Sequence, residues 1–98
     1  MTTPAMLLPA DATTLQLQGA VTFANAATLY QECQRLLAPG VTCLDCTGVL
    51  DSDSSAISLL LACRRRAGEL GIDLKITGMG KQLQGLARLY GVEKLLVT

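Results

Sequence analysis

Residues Asp51, Ser52, Asp53, Ser54 and Ser55 place two carboxylates and three hydroxyls in five consecutive positions. Such a cluster can be an active site, a modification site or the start of a helix. The chain contains no histidine. That removes Ser-His-Asp and Cys-His catalysis, and with them histidine ligation of zinc. Asp51 and Asp53 could together hold a hard cation, but two ligands on a loop make a poor site and helix capping explains Asp53 without a metal.

Two other stretches have spacings that suggest chemistry. Cys43 and Cys46 form a Cys-x-x-Cys pair in "CLDC". On a strand, residues three apart point to opposite faces, and no second pair completes a four-cysteine zinc site. These cysteines therefore read as structural. "TGMGKQ" approaches a phosphate loop, but Lys75 stands in the position of the first glycine and Gln82 in that of the final Ser or Thr. A dinucleotide fingerprint fails as well, because Leu83 replaces its third glycine. No catalytic residue, cofactor or metal ligand follows from these motifs.

The elements that must position the cluster can be read from periodicity. Residues 1–12 read as a loose tail. "TLQLQG" alternates, with Leu15 and Leu17 on one face, and predicts a strand. Gly19 is expected to turn the chain into a second short strand around "AVTF". From about Asn25 the spacing of Ala26, Leu29 or Tyr30, Cys33, Leu36 and Leu37 is helical, and Pro39-Gly40 ends that helix. "VTCLDC" is a third strand and "TGVLDSD" a loop. "SSAISLLLACRRRAGEL" is a second helix of roughly 17 residues, about 25 Å long. "DLKIT" is a fourth strand. A third helix spans about Lys81 to Tyr90, with Leu83, Leu86, Ala87 and Tyr90 on one face, and "VEKLLV" adds a short terminal element. The predicted class is α/β, in the order β-β-α-β-α-β-α. A mixed sheet of four or five strands carries three to four helices in a single domain over residues 1–98.

The chain has 98 residues, is 50% hydrophobic and has a formal net charge of zero. One core can form, and no basic surplus points to nucleic acid. One Phe, two Tyr and no Trp leave little for stacking on single-stranded bases. The N-terminus lacks a basic segment, and its apolar stretch is too short for a signal or a membrane span. These features predict a soluble, cytoplasmic protein without direct membrane insertion. Its four cysteines then read as reduced thiols.

Winding the second helix at 100° per residue gathers Ala56, Leu59, Leu60, Cys63, Ala67 and Leu70 on a side that must pack on the sheet. Asp53 is placed to cap it, and Asp51 adds favourable charge at the positive end of the dipole. Ser54, Ser58, Leu61 and Arg65 form a line on the opposite, solvent side, flanked by Ile57 and Gly68. A contiguous stripe with apolar members suggests a partner-binding surface made of Ser54, Ile57, Ser58, Leu61 and Arg65.

The element order, with "DSSAISLLL" opening the second helix after a strand and loop, resembles the STAS domain family. Over about residues 14–96, "CLDCTGVLDSDSSAISLLL" followed by "LARLYGV" is most similar to its MlaB-type members. The family motif reads Asp-Ser-Ser/Thr-Gly. Here Ala56 replaces the glycine, and Ser54 stands where the MlaB type usually has threonine. The resemblance implies a non-catalytic subunit that binds and supports the cytoplasmic ATPase of a bacterial phospholipid-transport ABC system. That would bring it to the inner face of the cytoplasmic membrane through its partner. The family also includes anti-sigma factor antagonists. They imply an alternative partner, an anti-sigma factor kinase, with Ser54 as the phosphorylation site.

Overall fold

The computed structural model describes residues 5–96. Four strands and four helices follow one another as β1 (Met6–Pro9), β2 (Thr14–Val21), α1 (Ala26–Leu36), β3 (Cys43–Ser52), α2 (Ser54–Glu69), β4 (Lys75–Thr77), α3 (Lys81–Leu89) and α4 (Glu93–Leu96). The strands lie in the order β1-β2-β3-β4. β1 is antiparallel to β2, while β2, β3 and β4 are parallel. This is the predicted mixed-sheet α/β architecture.

The two crossovers, β2-α1-β3 and β3-α2-β4, step along the sheet in the same direction. Right-handed connections of that kind put their helices on one face. The alternation of β2 follows: Leu15, Leu17 and Val21 are buried under the helices, and Thr14, Gln16, Gln18 and Ala20 are half-buried on the other face. Leu44 and Cys46 of β3 continue the buried layer, with Leu74 and Ile76 beside them. α2 lies centrally, touching α1 on one side and α3 and α4 on the other.

The first two strands are not the expected ones. Within the segment expected as a loose tail, residues 1–4 lie outside the described residues and Met6–Pro9 form β1, with Leu7 buried and paired to Leu17. A turn joins it to β2, held by Asp11 Oδ1, which accepts from the backbone N–H groups of Thr13 at 2.8 Å and Thr14 at 2.9 Å. Four residues ending in proline are too short for periodicity to be visible. β2 also runs through Gly19 without turning, and only shifts its register with β3 there. Phe23, expected in a strand, lies instead in the link before α1. The predicted loop "TGVLDSD" belongs mostly to β3, because β2 offers partners as far as Val21, paired with Ser52.

Helix ends are set by local chemistry. α3 closes in a Schellman arrangement: Val92 N–H donates to Ala87 O at 2.9 Å and Gly91 N–H to Arg88 O at 3.1 Å. Gly91 has φ +70°, which a side chain would oppose. The chain thereby reverses into α4, whose Leu96 is fully buried. Arg64 of α2 donates to the Leu95 carbonyl and ties α4 to α2.

Candidate functional site

The Asp51–Ser55 cluster spans the junction of β3 and α2, and its five residues divide by environment. Ser52 is buried, and its N–H donates to Asp51 Oδ1 at 2.9 Å and to Gln82 Oε1 at 3.2 Å. It therefore holds β3 to the start of α3. Asp53 caps α2: Oδ1 accepts from Ser55 N–H at 2.8 Å. Its Oδ2 accepts from Phe23 N–H at 3.0 Å, which ties the link before α1 to the start of α2. These donors, Phe23 first and then Ser55, hold the Asp53 carboxyl below its ordinary value. Ser54 is exposed in the first turn, where helix N–H groups favour negative charge.

Along α2, Ser54, Ser58 and Arg65 are exposed and Leu61 is half-buried. Ile57, placed beside this line by the helical wheel, is only 4% exposed and belongs to the core. The reason is the packing on that side: α3 and the turn after it widen the buried arc beyond the part facing the sheet. Leu70, expected inside, is exposed, because it caps the helix end and no longer follows the helical face. Tyr90, expected on the inner face of α3, is exposed for the same reason.

Two open grooves border the exposed line. One, about 440 Å³, lies toward α1 and is formed by Phe23, Ala26, Ala27, Tyr30, Ser55, Ser58, Leu59 and Ala62. On the other side, Ser54, Ile57, Ser58, Leu61, Tyr90 and Val92 enclose about 310 Å³. Leu61 also borders a separate space of about 500 Å³ between Arg64, Arg65, Lys94 and Leu95. Phe23 is 87% exposed, and sequence reasoning missed it. The available signal was the adjacent Asn25, a turn former, whose Oδ1 accepts from Thr22 N–H at 2.9 Å.

The other two motifs lie on β3 and between β4 and α3. Cys46 is buried with Leu44, while Cys43 lies on the opposite face with Sγ 3.4 Å from Thr77 Oγ1. Burial, reinforced by Asp45 and Cys43, pushes the Cys46 thiol up to about 12. The Cys63 thiol is raised by its hydrogen bond with Cys33 and by burial. Among the described residues no group of three or more His, Cys, Asp or Glu side chains could hold a metal. In "TGMGKQ", Gly78 is packed against Asp45 and Thr47, Met79 is buried and Gly80 precedes α3. Among the described residues no helix is long and apolar enough to cross a membrane.

Comparison with known proteins agrees with this geometry. The structure of the anti-sigma factor antagonist SpoIIAA in its unphosphorylated form superposes with a TM-score of 0.72, covering 96% of this chain and 86% of that one. The two share 12% sequence identity, so the likeness is one of fold. No curated protein matches the sequence. A family model described as "Mlab, STAS domain" matches residues 7–98. With nearly the whole described chain inside that match and the fold in agreement, the chain belongs to the STAS domain family, of the Mlab type.

Proposed function

We propose that this STAS domain is a non-catalytic subunit that binds and supports the cytoplasmic ATPase of a bacterial phospholipid-transport ABC system. The observation that carries this reading is the outer face of α2. Ser54, Ser58 and Arg65 stand exposed and Leu61 half-exposed between two open grooves. Such a face suits contact with a protein surface. The Mlab-type family match supports the transporter setting. The ATPase brings the nucleotide site, and this chain contributes contacts and no chemistry of its own. It reaches the inner face of the cytoplasmic membrane through that partner.

The likeness to SpoIIAA favours a second reading, an anti-sigma factor antagonist bound by a kinase and switched by phosphorylation of Ser54. A phosphate there would gain from the helix N-terminus and be opposed by Asp51 and Asp53.

Affinity purification from the native cell separates the two. Recovery of an ATPase with a membrane permease supports the first reading; recovery of a kinase with phosphate on Ser54 supports the second. With the ATPase in hand, Ser54→Ala is expected to cost about 1 kcal/mol of binding, the worth of one neutral hydrogen bond. Ser54→Glu should cost more, because it buries a charge. Leu61→Asp should weaken the complex while the isolated domain still melts cooperatively. Unchanged ATPase binding by all three variants would place the docking surface elsewhere.

A further inference from the structure

We infer that the groove between α2 and α4 receives an amphipathic helix of a protein partner, with the acidic end of that helix over Arg65 and Lys94. The identity of the partner rests on the reading above; the chemistry of the bound segment does not. The groove consists of two hollows that share Leu61 and together lie along α2 from Ser54 to Arg65, about 16 Å, or three helical turns. Leu61, Tyr90, Val92 and Leu95 line it. Tyr90 is 54% and Leu95 57% exposed, and with Leu61 they form one apolar strip rather than scattered surface residues. Arg64 donates to the Leu95 carbonyl and joins the α4 wall of the groove to α2.

Charge is distributed unevenly along the groove. The ion pairs among the described residues are Arg35–Glu32, Arg66–Glu69 and Arg88–Glu93. Arg65 and Lys94 take part in none of them, and both are exposed at one end. Asp51 and Asp53 do not line the groove but are exposed just before the start of α2, beyond its other end. An anionic membrane would be attracted at one end and repelled at the other. A helix with apolar residues three and four apart and carboxylates at one end matches both the strip and the charge.

The test places a photo-cross-linking amino acid at Leu95 in the full chain, expressed in the native cell, and identifies the joined peptide by mass spectrometry. The expected product is one protein segment with apolar helical spacing and Asp or Glu at the end over Arg65. The double variant Arg65→Glu, Lys94→Glu should reduce cross-linking about tenfold and flatten its dependence on salt, with an unchanged thermal melt. Joining to lipid alone, to a basic segment or to no protein overturns the inference. So does firm binding of the purified chain to phosphatidylcholine vesicles containing phosphatidylglycerol when no protein segment is joined. If the acidic helix belongs to a protein other than a transport ATPase, the inference stands and the transporter reading falls. If the ATPase co-purifies and the double variant binds it unchanged, the transporter reading stands and this inference falls.

Discussion

Asp53 joins two elements through one carboxylate. Asparagine keeps an oxygen for Ser55 N–H but presents either that oxygen or an NH₂ group, not a second acceptor, to Phe23 N–H. Thermal midpoints should therefore fall in the order wild type, Asp53→Asn, Asp53→Ala. The folded carboxyl titrates below its ordinary value of 3.8. Its contribution is complete above the unfolded value and is lost as pH falls through the folded one. The advantage of wild type over Asp53→Asn should thus shrink in melts taken below about pH 4 and stay constant above pH 6. Gly78 makes a second residue-scale prediction. A Cβ there would lie 2.3 Å from Thr47 Oγ1 and 2.8 Å from Thr47 N, at a φ of +72°. Gly78→Ala should destabilise by at least about 2 kcal/mol in denaturant titration, since both strain and a backbone contact oppose it.

At the scale of the element, α2 has a buried arc wider than its sheet-facing side. Leu60 is fully buried and Ile57 nearly so. Leu60→Ala should cost about 2–5 kcal/mol of stability, and Ile57→Ala a loss in the same range. A loss under about 0.5 kcal/mol at Ile57 would return that residue to the surface stripe. The exposed line is correspondingly narrower than the helical wheel implies: Ser54, Ser58 and Arg65 with half-buried Leu61, and without Ile57. What the wheel lacks is the neighbours, because a helix flanked by α1 on one side and α3 and α4 on the other buries its shoulders too.

For the whole molecule, one buried cluster runs from Leu7 of β1 to Leu96 of α4. Cys33, Cys46 and Cys63 lie within it, each no more than 1% exposed, whereas Cys43 is half-buried on the open face. Maleimide labelling followed by mass spectrometry should modify Cys43 first. The other three thiols should react together, at the rate of global opening. Fast labelling of Cys46 or Cys63 in the native protein would mean that α2 opens on its own. The ion pairs of the described residues are exposed and should add little to stability.

The α/β order, the long second helix, its Asp53 cap and the buried set Leu15, Leu17, Leu60, Cys63 and Ala67 were determined by local pattern. Apolar period and capping chemistry act over a few residues, and the sequence displays them directly. The role of β1 and the full length of β3 were decided only by tertiary structure. Strand extent depends on which partner lies alongside: Met6–Pro9 is a strand because β2 is there to pair with it. The same holds for the candidate site. The sequence placed Ser54, Ser58, Leu61 and Arg65 on one line, but the grooves beside that line exist only where α2 meets the Phe23 link, the Tyr90 turn and α4. Those contacts join residues about twenty-five to thirty-five positions apart, and no local pattern records which surfaces will meet.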